Sequence, residues 1–371
     1  MILASFAALA WLQGSSCLPV PESNEVALCV ILRAGSSGDP SGQSGVTHLV
    51  EHLLFRRGEP GSLDSAIEAL GGRLEATTYR DFIRIWVTVP SEHAPAAVPI
   101  LGRLLEPKTW TDDVVEQEKR MVLQELRLRE LVPSAVLKER LWRAVFDNEW
   151  YGRPTGGIPS EIAALTGDAV RERAQQILRT APITVVAAGG KVEGLRAALD
   201  ALARASPNPG VGREAPPASA KRLEGEGYGA IGVALPWDQE ALSYVAGQVA
   251  VEALAGRGDS LAGRKNLVVE PVWEPSGAAC LVGVLYRSGE AEQVLELVRE
   301  GVQLSDEDIE RAREGVQRQW ERSFEDVESL AFWEAFARAW GIGDAHSFTQ
   351  AARNLKPEHV RQILSQLAGA A

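Results

Sequence analysis

Three side chains within one short segment could hold and work a metal ion. In Gly45-Val-Thr-His48-Leu-Val-Glu51-His52-Leu-Leu-Phe55, His48 and His52 stand four residues apart. On a helix that spacing puts both imidazoles on one face, about one turn apart. It suits two nitrogens at ~2.1 Å from a single zinc ion. Glu51, adjacent to His52, can lean over the same metal without ligating it. A carboxylate there can take a proton from a water at the metal and later pass it to a leaving amine. A helix with two surface histidines would show the same spacing. Leu49, Val50, Leu53, Leu54 and Phe55 nevertheless make this stretch largely apolar and suited to burial, and buried polar side chains need partners, which a metal supplies.

A catalytic zinc wants a third protein ligand and an open position. A second helix offers candidates. Thr111 can cap it, Asp112 and Asp113 favour its positive end, and it is expected to run to about Glu130. Glu118 and Glu125 lie seven apart on the face that also carries Val115, Val122 and Leu126. A solvated glutamate would be unremarkable, but a carboxylate set in an apolar stripe is unusual unless paired or ligating. Glu125 is read as the third ligand, for one zinc per chain, and Glu118 as a group that orients a ligand.

The surrounding elements are of mixed type. Val26 to Leu32 reads as a strand leading into the histidine helix. Ser62 to Leu70 reads as a helix stopped by Gly71-Gly72, and Leu74 to Val89 as a long strand or hairpin. Strands and helices without regular alternation give the α+β class. The stretch 204–220 holds Pro207, Pro209, Pro216 and Pro217 with Gly210 and Gly212, and reads as a linker. The expected organisation is 1–204, a linker at 205–220, and 221–371. Both halves begin strand then helix, with Ala230 to Leu235 preceding residues 239–255 in the second. Leu165-Thr-Gly-Asp-Ala-Val-Arg171 also echoes Leu355-Lys-Pro-Glu-His-Val-Arg361, so the halves are read as diverged copies.

Composition sets outer bounds. The 371 residues suffice for two cores, with 45% hydrophobic and 24% charged residues. A net charge of −12 argues against nucleic acid or anionic membrane as a main partner. Cys17, Cys29 and Cys280 form neither a disulfide framework nor a metal knuckle. The apolar run at residues 2–12 has no preceding Lys or Arg and is too short to span a bilayer. It is read as an approach to a buried first strand, in a cytoplasmic protein.

At these residues the sequence resembles the inverzincins, the group of pitrilysin, insulin-degrading enzyme and the mitochondrial processing peptidase, whose inverted zinc motif is His-x-x-Glu-His. Their distal pattern, Glu, six residues, then the ligand Glu, matches Glu118-Lys-Arg-Met-Val-Leu-Gln-Glu125. The interval from His52 to Glu125 is a few residues shorter than usual. Further likeness lies in Arg33-Ala-Gly-Ser, Gly71-Gly-Arg-Leu-Glu-Ala-Thr-Thr, Tyr151-Gly-Arg-Pro-Thr-Gly-Gly-Ile-Pro and an opening strand near Leu12 to Pro21. The resemblance implies two homologous α+β halves, each a mainly antiparallel sheet with helices packed on one face, of which only the first holds zinc. It implies a peptide substrate bound along an edge strand by main-chain pairing, here Leu74 to Asp81 with Glu75, Ala76 and Thr77. Glu75 stands where the family commonly has Asn. The family's second half also contributes an Arg and, seven residues on, a Tyr that steady the peptide and the developing oxyanion. Arg264 matches the Arg, whereas Pro271 replaces the Tyr. A tyrosine could come from Tyr286 or from another chain.

The expectation is therefore a zinc-dependent endopeptidase or oligopeptidase, the catalytic subunit of a two-subunit enzyme whose homologous partner supplies the Arg/Tyr pair. Two other readings compete. One is a non-catalytic structural or assembly subunit of the same family; the other is an unrelated α+β binding protein with a chance motif.

Overall fold

The computed structural model describes residues 14–55, 62–147, 149–204, 217–225, 227–236, 241–256 and 258–371. The apolar run at 2–12 and residues 205–216 of the expected linker lie outside the described residues. The first half runs β1 (Ser15–Pro19), β2 (Glu25–Leu32), α1 (Val46–Leu54), α2 (Leu63–Glu68), β3 (Arg73–Thr78), β4 (Ile83–Pro90), α3 (Ala94–Leu105) and α4 (Asp112–Arg129). It continues with α5 (Pro133–Val145), α6 (Pro159–Ala164), α7 (Gly167–Thr180), β5 (Ile183–Gly189) and α8 (Arg196–Leu202). The second half runs β6 (Lys221–Glu224), β7 (Tyr228–Pro236), α9 (Leu242–Ala255), α10 (Leu261–Arg264), β8 (Val269–Pro275) and β9 (Ala279–Arg287). It ends with α11 (Ala291–Gly301), α12 (Asp306–Ser323), α13 (Val327–Trp340), α14 (His346–Asn354) and α15 (Pro357–Ala368). The class is α+β, as expected.

Local chemistry explains the element ends. The Ser62 side chain accepts from the Ser65 N–H and caps α2. The stretch 74–89 is a hairpin, not one strand: β3 and β4 pair antiparallel from Arg73↔Thr88 to Thr78↔Ile83, and the Tyr79 N–H closes the turn on the Phe82 carbonyl at 2.7 Å. The α4 helix begins one residue after Thr111 and carries Asp112 and Asp113 in its first turn, where the helix dipole favours negative charge.

The chain forms two compact units. The first contains the described residues within Met1–Leu126, Thr155–Gly212 and Ser323–Ala345; the second contains those within Arg127–Pro154, Arg213–Arg322 and His346–Ala371. Each unit thus takes a helix from the opposite half: α5 belongs to the second unit and α13 to the first.

In the first unit the sheet order is β1-β5-β2-β4-β3, antiparallel except for β1 beside β5. Alternate residues Val26, Leu28, Val30 and Leu32 pack into a core with Leu49 and Val50 of α1, Leu101 of α3, Val122 of α4 and Ile177 of α7. The intervening Ala27, Cys29 and Ile31 are buried as well, because α13 lies against β2 and β5. Helices cover one face as expected, and α13 adds a cover to the other. Such double burial is what an unbroken apolar run such as Val26 to Leu32 signals. Phe336 and Trp340 of α13 pack edge-on against Phe82 at ring separations of 5.9 and 5.2 Å.

In the second unit the order is β6-β7-β9-β8, all antiparallel. Leu137, Leu141 and Trp142 of α5 share a core with Ala230, Ala234 and Leu281, while α9 and α15 also pack on this sheet. The three cysteines are free thiols. No helix among the described residues is long and apolar enough to cross a membrane.

Candidate metal centre

The α1 helix starts at Gly45, whose φ of +100° is left-handed. A Cβ there would also meet the Ile162 side chain at 2.7 Å, so glycine alone suits the corner. The helix's first N–H groups are satisfied from a distance. Asp39 accepts from the Gly45 N–H at 2.7 Å, the Thr47 N–H at 3.2 Å and the Thr47 hydroxyl at 2.5 Å. Arg173 of α7 donates to the Thr47 hydroxyl at 2.9 Å and to the Gly35 carbonyl at 3.2 Å. Burial pushes the Asp39 carboxyl up to about 6, against the lowering effect of the Thr47 and Gly45 hydrogen bonds and of Arg173.

One turn in, His48 and His52 project together, with ring centroids 4.8 Å apart and nearly perpendicular. Glu125 of α4 closes the triangle. Its Oε2 lies 3.1 Å from His52 Nε2 and 3.6 Å from His48 Nε2, and ligand atoms of all three residues fall within 4.8 Å of one another. Ligand atoms 2.1 Å from a tetrahedral ion stand about 3.4 Å apart. The two measured separations bracket that value, so the donor set fits zinc and leaves a fourth position for water or substrate. Among the described residues it is the one such cluster of His, Cys, Asp and Glu.

Each histidine is steadied from its far side. The His48 Nδ1 lies 3.3 Å from the Gly156 carbonyl, and His52 Nδ1 lies 3.7 Å from Glu118 Oε2. Burial holds the His48 pKa below its ordinary value, with Glu51 and Glu125 opposing. For His52 burial pulls downward too, but the Glu125 hydrogen bond and the charges of Glu51, Glu125 and Glu118 outweigh it and raise the pKa. Glu51 is buried beside the pair, and the Thr78 hydroxyl at the end of β3 donates to its Oε2 at 2.9 Å.

Several expectations need amendment. The apolar stripe of α4 is Val115, Val122 and Leu126, with Lys119. Glu118 is the glutamate set close to it, 13% exposed, whereas the Glu125 side chain is 46% exposed at its margin. The carboxylate chosen as ligand for its burial reaches the histidines by geometry instead. On β3, Thr78 faces Glu51, so alternation puts Ala76 on that face and Glu75 and Thr77 on the other. Arg264 ends α10 in the second unit, its Nη1 bound to Asp308 at 2.6 Å. Pro271 is exposed on the edge strand β8, a position that tolerates a missing N–H. Tyr286 is only 2% exposed, on β9 between β7 and β8. It therefore does not present a hydroxyl to an incoming peptide. Sequence reasoning passed over Thr78, Asp39, Arg173 and Gly156. The paired Thr77-Thr78 near a strand end gave no distinctive sign, and a main-chain carbonyl gives none at all.

Residues 20–157 match the family model described as Insulinase (Peptidase family M16). A Bacillus subtilis protein named as an uncharacterized zinc protease, YmxG, is 25% identical over 155 residues, covering 41% of this chain and 38% of that protein. The mitochondrial-processing peptidase subunit beta of Dictyostelium discoideum is 29% identical over 143 residues, covering 38% of this chain and 30% of its own length. The matched part thus spans well under half of these relatives. Whole-chain likeness comes from solved structures. An M16-like peptidase from Alicyclobacillus acidocaldarius superposes with a TM-score of 0.77 at 17% identity, covering 94% of this chain and 92% of the other. A peptidase M16 inactive domain from Pseudomonas fluorescens does so with a TM-score of 0.73 at 16% identity, with the same two coverages. At such identities these two likenesses speak for the fold. Sequence match and fold agree: residues 20–157 match a peptidase family M16 (insulinase-family) domain, and the chain as a whole shares the fold of M16-like peptidases.

Proposed function

We propose that this chain is a zinc-dependent endopeptidase or oligopeptidase and the catalytic member of a two-subunit enzyme. The observation that carries the reading is the triangle of His48 Nε2, His52 Nε2 and Glu125 Oε2, spaced for a tetrahedral ion, with the Glu51 carboxylate beside it. Zinc held there would acidify a coordinated water and polarise a peptide carbonyl. Glu51 accepts a proton from the attacking water and returns it to the departing amine. Thr78 holds one Glu51 oxygen in place and leaves the other for that work. Glu118 orients His52. The outer edge of β3 pairs with no other strand among the described residues, so an extended peptide can add to it through main-chain bonds while Ala76 and Thr77 meet its side chains. The partner subunit contributes the Arg/Tyr pair, and a cytoplasmic location belongs to the same reading.

The test is zinc content and peptide cleavage measured together, on the chain alone and with co-purified partners. About one zinc per chain with cleavage abolished by Glu51→Gln supports the reading. Zinc without cleavage under any pairing favours a non-catalytic subunit, a role that the Pseudomonas fold relative, named as an inactive domain, makes concrete. Absence of zinc binding would sink both the metal centre and the enzyme.

A further inference from the structure

The segment that re-enters the first unit at Thr155 has no side chain in the metal centre, yet it touches a ligand. The Gly156 carbonyl oxygen lies 3.3 Å from His48 Nδ1. A carbonyl only accepts, so a hydrogen bond here places a proton on Nδ1, and in the neutral ring that can ligate a metal the lone pair is then on Nε2. Nε2 is the atom that faces Glu125. His48 is 7% exposed, which leaves little room for water to take over the carbonyl's part.

That carbonyl is held from both sides. The Ile158 N–H donates to the Ser44 carbonyl at 3.4 Å. The Glu161 carboxylate, one turn into α6, accepts from the Ser44 N–H at 2.7 Å. Between them Gly157, with φ of +92°, lies against Gly45 at the start of α1. A Cβ on Gly157 would stand 2.4 Å from the Gly45 Cα and 2.6 Å from the Ser44 carbonyl oxygen. Both neighbours are main-chain atoms that cannot swing aside, so the approach is possible for glycine only.

Building on the metal centre proposed above, we infer that the Gly156-Gly157 turn, clamped to Ser44-Gly45 and hooked by Glu161, is a positioning device that fixes the His48 tautomer and thereby sets the metal affinity. Gly157 and Glu161 act through the Gly156 carbonyl and His48. Outer partners of this kind are worth ~10–100-fold in metal affinity.

The experiment has two readouts, one of which needs no metal. Nitrogen-15 correlation spectra of the metal-free protein at pH 7.5 report which His48 nitrogen bears the proton. Zinc affinity is then measured by chelator competition. Wild type shows the Nδ1–H form. Gly157→Ala, which must push the carbonyl away, gives mixed tautomers and zinc bound ~10–100-fold more weakly. If Gly157→Ala fails to fold, Glu161→Ala gives the same shifts to a smaller degree, and Glu161→Gln, whose amide oxygen still accepts from Ser44, restores both. A purely structural role would lower the unfolding midpoint while leaving tautomer and affinity untouched in the folded protein. That result, or an Nε2–H tautomer in wild type, overturns the inference. A wild-type protein that binds no zinc but keeps the Nδ1–H form, with the variants losing it, would refute the metal centre alone.

Discussion

At the scale of single residues, the buried carboxylate of Glu51 has one fixed partner in the Thr78 hydroxyl, at 2.9 Å. A carboxylate that must take and give a proton gains from having one oxygen tethered, because the other then points in a constant direction. If Glu51 is the base of the proposed function, replacing it should cost far more than loosening it. Glu51→Gln should keep zinc and lower kcat by ~10²–10⁴-fold, the range ascribed to a positioned acid–base group. Thr78→Val, which removes one hydrogen bond at nearly constant volume, should keep zinc and lower kcat by about tenfold, the equivalent of ~1–1.5 kcal/mol. Equal kcat values for Thr78→Val and wild type would remove Thr78 from the mechanism. The ligands are tested separately. His52→Ala and Glu125→Ala should each strip most of the zinc, while Glu118→Gln should weaken it by ~10–100-fold. Retention of full zinc by His48→Ala and His52→Ala would show that the metal, if any, sits elsewhere.

At the scale of elements, α1 is positioned from its N-terminal end by Asp39, and this arrangement has a pH signature. The folded-state carboxyl titrates at about 6, above its unfolded value of 3.8, because it is buried; Arg173, at 4.0 Å, only partly offsets this. Between those values the folded chain holds a proton that the unfolded chain has released. The contribution of Asp39 to stability is thus complete below about pH 4 and is lost as pH rises through 6, by an amount on the order of 3 kcal/mol. Asp39→Asn keeps an accepting oxygen and cannot ionise. Urea unfolding of both proteins at pH 4, 5, 6 and 7 should show wild type losing ground to Asp39→Asn over that range. A constant difference would mean that Asp39 ionises normally. Many of these elements could be read in advance. His48, Glu51 and His52 declare themselves through helical spacing, and α2 and α4 announce their starts through Ser62 and Asp112-Asp113. The break in the hairpin at Tyr79 to Phe82 is not legible in the sequence, because aromatic residues favour strand as much as turn. Asp39 escaped notice because its cap reaches across five residues of loop. Gly156 did because its contribution is main-chain. Glu125 lies beside the two histidines, but at the margin of the stripe and not inside it, because periodicity cannot tell the centre of a stripe from its margin.

At the scale of the whole molecule, α13 and α5 each complete the sheet of the unit to which the opposite half of the sequence contributes most. Helical periodicity reveals an apolar face but not which sheet it will cover, so the exchange was invisible in the sequence. It has a direct consequence: residues 1–204 lack α13 and leave the Cys29 and Ile31 face of β2 uncovered. That fragment should be insoluble or unfolded by circular dichroism. A soluble, cooperatively melting 1–204 fragment would show that α13 is dispensable. The larger question is whether the chain suffices for cleavage. The resemblance sets Pro271, which has no hydroxyl, where an oxyanion tyrosine is expected, and the nearest tyrosine in sequence, Tyr286, is buried within its own sheet. Arg264, matching the companion arginine, is engaged with Asp308. One missing oxyanion donor raises a barrier by ~3 kcal/mol, or about a hundredfold in rate. Yet the residues of the proposed metal triangle and Glu51 are all present, and a subunit without chemistry has no need of them. The proposed division of labour, with a homologue bearing the Arg/Tyr pair, would account for both. The isolated chain should therefore bind zinc but cleave peptides at ~1% or less of the rate reached with its partner. Substituting the partner's tyrosine by Phe should return the mixture to the rate of the chain alone. If the isolated chain already cleaves at a rate no partner improves, the donor lies within this chain and the two-subunit arrangement is wrong.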